Sequence, residues 1–326
     1  MKNLCSVLLL LISSADGYAQ NTMRENTLEQ LVAGKPIQRS YWTYVPNSVT
    51  ENPALVVVLH GYSGSAVGIA EYSNMNAVAE EAGFVVAYPQ GTIDQEGNAF
   101  FNVGYAFHQN VAVDDVDFVR RMISELRTEY AVDSDQIFAT GMSNGGEMSY
   151  LLACRASTLF RAVAPIAGSM VGLSLEDCSP ERPIPIFAIS GTDDPVTVYS
   201  GDLENAGGWG PYLGQDETIA YWARQYGLEQ RTSTALANPH KPMLTGDSHI
   251  TWERYSNDNL TTEIWFYRVV NGGHDWPGAK STEWWRLSTY PALMAMGFGK
   301  NHDIDASREI WAFFSLWSDQ ETVGSD

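Results

Sequence analysis

The stretch Gln136-Ile137-Phe138-Ala139-Thr140-Gly141-Met142-Ser143-Asn144-Gly145-Gly146, followed by a helical run from Glu147 to Ala156, reads as a strand, a sharp turn and a helix with Ser143 at the apex. Backbone at such an apex is strained, so the positions two residues to either side must be glycine, and the serine hydroxyl is pushed outward into reach of a base. The turn therefore predicts a nucleophilic serine. A lone G-x-S-x-G also arises by chance, and what lifts it above chance is a set of further segments in the chain order Ser, Asp, His.

Around the turn, apolar runs alternate with helical periodicity, the pattern of a mainly parallel sheet covered on both faces. Leu55 to Leu59 and Phe84 to Tyr88 are continuous and rich in β-branched residues, as expected of strands buried on both sides. Ile137 to Thr140, Ala162 to Ile166, Ile184 to Ile189 and Ile264 to Val270 continue the series. Val116, Val119, Ile123, Leu126 and Tyr130 recur at helical spacing behind Asp114, a candidate N-cap, and Ile219, Trp222, Ala223 and Tyr226 mark another helix. Residues 40–46 predict an early antiparallel strand, and 303–318 a closing helix. One catalytic α/β domain over residues 20–326 is the economical reading, with irregular insertions near 196–215 and 278–302.

The first supporting segment is Leu59-His60-Gly61-Tyr62-Ser63-Gly64, directly after the first buried strand. Acyl transfer places negative charge on a carbonyl oxygen, and two backbone N–H groups must point at it; Tyr62 and Asn144 are the expected donors. His60 is expected to be structural, because it precedes the candidate aspartate. The second segment, Ile189-Ser190-Gly191-Thr192-Asp193-Asp194-Pro195-Val196, offers a carboxylate at a strand end to orient a histidine. Asp194, immediately before the proline, is the candidate, and Asp193 is assigned to a local turn. The third, Asn271-Gly272-Gly273-His274-Asp275-Trp276-Pro277-Gly278, is a tight loop able to carry His274 over Ser143, and imidazole suits accepting and returning a proton near neutrality. His240, His249 and His302 are the rivals and lack such a loop.

Met1 to Ala19 has a basic start, an apolar run from Leu4 to Ile12 and a small-residue site, as expected of a cleaved secretory leader; the run is too short for a membrane anchor. The 326-residue chain carries a net charge of −20, unchanged after cleavage because Lys2 and Asp16 leave together. Such a chain repels phosphate backbones and has no basic stripe, so nucleic acid is not an expected partner. Cys154 and Cys178, the pair left in the exported chain, are expected to form a disulfide. No metal-ligand spacing and no phosphate-binding loop is present, so no metal or cofactor is expected.

In combination, L-H-G-Y-S-G-S at 59–65, Y-P-Q-G at 88–91, D-D-V at 114–116, G-M-S-N-G-G at 141–146, A-P-I-A-G at 164–168, G-T-D-D-P-V at 191–196 and G-G-H-D-W-P-G at 272–278 resemble the secreted polyhydroxybutyrate depolymerase and feruloyl esterase family. The resemblance implies an α/β-hydrolase fold and ester hydrolysis by Ser143, Asp194 and His274. It also places Cys154 and Cys178 where many members bridge. Trp209, Tyr212 and Trp276, with Trp284 and Trp285, are candidate stacking residues for sugars or aromatic acids, which favours feruloyl or acetyl esters of plant polysaccharides. A hydroxybutyrate oligomer depolymerase is the alternative within enzymes, and a non-catalytic carbohydrate-binding protein the alternative outside them. Periplasm and extracellular medium are equally compatible destinations.

Overall fold

The computed structural model describes residues 23–236, 248–259, 261–279 and 301–318. The leader expected at 1–19, His240, Trp284, Trp285 and most of 278–302 lie outside the described residues. In chain order the strands are β1 (Arg24–Val32), β2 (Lys35–Tyr44), β3 (Leu55–Leu59), β4 (Val85–Pro89), β5 (Thr92–Ile93), β6 (Ala99–Phe100), β7 (Ile137–Met142), β8 (Ala162–Ile166), β9 (Ile186–Gly191), β10 (Gln230–Ala235), β11 (His249–Ser256) and β12 (Ile264–Val270). The helices are α1 (Ala66–Ser73), α2 (Met75–Ala82), α3 (Asp115–Tyr130), α4 (Asn144–Arg155), α5 (Leu173–Glu176), α6 (Gln215–Gln225) and α7 (Ala306–Ser318).

Ten strands form one sheet in the order β1-β2-β4-β3-β7-β8-β9-β12-β11-β10, and β5 and β6 make a separate small hairpin. The six strands from β4 to β12 in that order are parallel. They are the apolar runs of the sequence, because helices cover both faces and every residue of β3, β4, β7, β8 and β9 is buried. The two-residue period of a strand divides β3 between two cores. Leu55, Val57 and Leu59 pack with α3 and α4, whereas Val56 and Val58 pack with α1, α2 and α7. Asp114 caps α3 by accepting the Asp117 N–H. The architecture is the α/β-hydrolase fold.

Both sheet edges are antiparallel. The early strand expected at 40–46 is β2, pairing antiparallel with β4 and with β1. β1, β10 and β11 carry no apolar run; β10, Gln-Arg-Thr-Ser-Thr-Ala, is exposed throughout. Such edge strands are held by backbone pairing, which hydropathy patterning does not register.

Cys154, at the end of α4, is bonded to Cys178, in the loop entering β9, across a separation of 24 residues. Closing a loop of that length contributes about 3 kcal/mol on the chain-entropy model. Unreduced peptide maps should contain the linked fragments, and reduction should lower the unfolding free energy by roughly that amount. An unchanged denaturation midpoint after both thiols are labelled would mean that the helix and loop hold together without it. Among the described residues no helix is long and apolar enough to cross a membrane.

Candidate active site

Ser143 joins β7 to α4 with φ 57° and ψ −121°, a conformation that L-residues avoid. Backbone on both sides holds it there: its N–H donates to Ile166 (2.9 Å) and its carbonyl accepts from Glu147 (2.9 Å). The glycines make room for this crossing. A Cβ on Gly145 would lie 2.2 Å from the Leu59 oxygen, and one on Gly141 2.6 Å from the Gly145 carbonyl carbon, so α4 can start against β3 only when both are bare.

The His60–Gly64 loop runs over this turn, with a hypothetical Cβ on Gly61 only 3.4 Å from Ser143 Cβ. His60 is 1% exposed, and burial pulls its imidazole down to about 4. Neutral near pH 7, it donates from Nδ1 to the Gly61 carbonyl (2.8 Å) and accepts the Gly91 N–H at Nε2 (2.9 Å). It is thus a structural clamp on the loop. Tyr62 is anchored through its hydroxyl, which donates to Asp94 (2.6 Å) and accepts from Asn98 (2.9 Å). Asn144 is the first residue of α4, where N–H groups have no partner within the helix, and its side chain is pinned to the Phe101 N–H (2.7 Å) and carbonyl (3.0 Å).

Asp194 and His274 are 80 residues apart in sequence and meet at 2.7 Å between Oδ2 and Nδ1, both buried. Two loops must cross closely for this. A Cβ on Gly191 would sit 2.4 Å from the Gly272 oxygen, and the Asp193 N–H donates to that same oxygen (2.8 Å) while the Asn271 N–H donates to Thr192 Oγ1 (2.8 Å). Asp194 Oδ1 accepts from Val196 (2.8 Å) and Thr197 (2.9 Å). The local turn assigned to Asp193 is therefore built by Asp194, whose second oxygen holds the histidine; Asp193 bonds its neighbour Thr192 (3.2 Å). With Nδ1–H committed to Asp194, Nε2 of His274 is the acceptor. Asp275 anchors the same loop, taking the Tyr72 hydroxyl and the Asn301 N–H (3.2 Å).

A cleft beside the turn is lined by Ser143, Tyr105, Glu147, Val196, Thr197, Trp209 and Tyr212. Trp209 packs edge-on against Tyr62 (5.4 Å) and Tyr105 (5.1 Å), with half-exposed Phe107 beside it (5.5 Å). Tyr212 is buried, its hydroxyl accepting from the Val198 N–H (3.1 Å). Trp276 is elsewhere. It is 1% exposed in the core beneath α7, and its indole N–H donates to Ser307 (3.1 Å), so its expected place among substrate-stacking residues is corrected.

Glu147 and Tyr105 are the residues that sequence reasoning passed over. Glu147 lies one turn after Ser143 on the same helix face, a spacing that would have flagged it. It accepts the Tyr105 hydroxyl, and burial pushes its carboxyl up to about 7, opposed by that bond, by the imidazole of His274 and by a hydrogen bond with the Asn144 side chain, with Asp194 adding to the rise.

The sequence profile of the family described as Esterase PHB depolymerase matches residues 39–201. NocK of Nocardia uniformis subsp. tsuyamanensis, named as an esterase, is 30% identical over 71% of this chain and 67% of its own. Feruloyl esterase B of Piromyces equi is 30% identical over 70% of this chain, which spans only 41% of that longer protein. Among solved structures, the acetyl xylan esterase from Aspergillus awamori matches 84% of this chain and 99% of its own at 17% identity with a TM-score of 0.54, a likeness of fold.

Proposed function

We infer that this chain, which belongs to the Esterase PHB depolymerase family and is a carboxylic ester hydrolase, works by two-step acyl transfer through Ser143, His274 and Asp194. Ser143 Oγ attacks the ester carbonyl carbon as its proton passes to His274 Nε2. The Tyr62 and Asn144 N–H groups receive the oxyanion, and Asp194 holds the imidazole and its transient positive charge. The alcohol leaves with the proton from His274, and water then repeats the sequence on the acyl-enzyme. The observation that carries this reading is the Asp194–His274 bond, made by the loop whose Val196 and Thr197 share a cleft with the strained Ser143.

Residues 20–326 form one exported catalytic domain on this reading, with the leader removed and the Cys154–Cys178 bond made outside the reducing cytosol. Its substrates are feruloyl or acetyl esters of plant polysaccharides. The relative named as a feruloyl esterase and Trp209 on the cleft, with Tyr62 and Phe107 packed against it, favour them over hydroxybutyrate oligomers, which the family description keeps as the second reading. A single stacking contact discriminates modestly, by about 10-fold for 1.4 kcal/mol. Methyl ferulate and acetylated xylo-oligosaccharides should therefore give higher kcat/KM than hydroxybutyrate oligomers, with p-nitrophenyl acetate as reference. The opposite ranking reverses the substrate assignment.

A further inference from the structure

We propose that Glu147 determines specificity in this cleft by hydrogen-bonding a hydroxyl group carried by the ester substrate. None of the acyl-transfer steps uses it, since Asp194 already serves His274. Yet Glu147 is 7% exposed and borders the same cleft as Ser143, among Val196, Trp209 and Tyr212. Of its polar neighbours, Tyr105 gives its hydroxyl to Glu147, and the Tyr212 hydroxyl takes the Val198 N–H. Glu147 is the carboxyl that this lining offers to a ligand's hydroxyl. A buried carboxyl is costly unless fully hydrogen-bonded. A substrate that seals the cleft with apolar atoms excludes water from Glu147 and leaves it with Tyr105 and Asn144, whereas one bearing a hydroxyl supplies a further donor. Burial holds the carboxyl at about 7, so acid and carboxylate coexist near neutrality, and a hydroxyl pairs with either. The proposal rests on Ser143 as nucleophile and specifies which esters that site prefers.

Two matched pairs separate the source of the hydroxyl. Methyl 4-hydroxycinnamate against methyl cinnamate puts it on the acyl group, and 2-hydroxyethyl acetate against propyl acetate puts it on the alcohol. Wild-type kcat/KM should favour the hydroxylated member of at least one pair by about 10-fold or more. Glu147→Met should bring that ratio to within about 3-fold of unity, while Glu147→Gln, which still pairs with a hydroxyl, should keep most of it. Glu147→Ala replaces the methionine variant if the latter does not fold. Wild-type enzyme that hydrolyses p-nitrophenyl acetate and is labelled at Ser143 by a fluorophosphonate, yet shows no hydroxyl preference in either pair, overturns the proposal and leaves the Ser143 reading standing. Retention of the wild-type ratio by Glu147→Met or Glu147→Ala does the same. A wild-type protein that neither hydrolyses esters nor takes the probe overturns both.

Discussion

Ser143→Ala is expected to lower kcat for ester hydrolysis by about 10⁵-fold or more, because without the nucleophile only binding and the oxyanion donors remain. The fold should persist. Ser143 Oγ is not needed for the backbone bonds to Ile166 and Glu147 that hold the turn, and alanine relieves none of the positive φ. His274→Ala should cost a similar factor, and the double variant little more, since residues that act as a unit give non-additive losses. Asp194→Asn keeps the volume but loses the charge that fixes the imidazole, and about 10⁴-fold is expected. Near wild-type turnover by a folded Ser143→Ala protein would falsify the assignment of the nucleophile. Substantial activity in His274→Ala with loss in His302→Ala would move the base to His302.

Gly145→Ala should be the most damaging conservative substitution. Within a helix, alanine is favoured over glycine by about 1 kcal/mol. Here the added Cβ meets backbone: the Leu59 oxygen at 2.2 Å, the Leu59 carbonyl carbon at 2.6 Å and the His60 oxygen at 2.8 Å. No side chain can rotate away, so α4 must move off the end of β3. That displaces the Asn144 N–H and the loop bearing Tyr62 together. A loss of at least about 4 kcal/mol in unfolding free energy is expected, the range reserved for steric failure in a core. Gly97→Ala is the matching control. It sits at φ 86° with nothing within 4 Å, so it should cost only the left-handed backbone penalty of about 1–2 kcal/mol. Equal denaturation midpoints for the two variants would show that the α4–β3 approach is looser than the backbone contacts require.

How far the fold could be read in advance depended on where each element's stability comes from. The parallel strands were legible because burial on both faces demands unbroken apolar runs. Asp114 was legible as a cap because its work is done within three residues. β1 and β10 were not, since an exposed edge strand is selected by pairing with its neighbour rather than by its own composition. Trp276 follows the same rule in reverse. An aromatic in a Gly- and Pro-rich loop looks available to a ligand, but α7 returns over it from 30 residues further on and Ser307 takes its indole N–H.

By itself the sequence determined the strand-to-helix turn at Ser143, its obligatory glycines, the parallel core and the order of the three chemistry-bearing loops, because each follows from backbone sterics or burial within a short stretch. The tertiary structure alone decided that Asp194 builds the local turn as well as holding His274, that Trp276 lies in the core while Trp209 and Tyr212 line the cleft, and that a second carboxyl, Glu147, stands beside the serine. Those outcomes depend on how closely distant loops cross, as at Gly191 and Gly272, and on the rotation of α4 against the sheet. No local pattern encodes a distance between segments that only packing brings together.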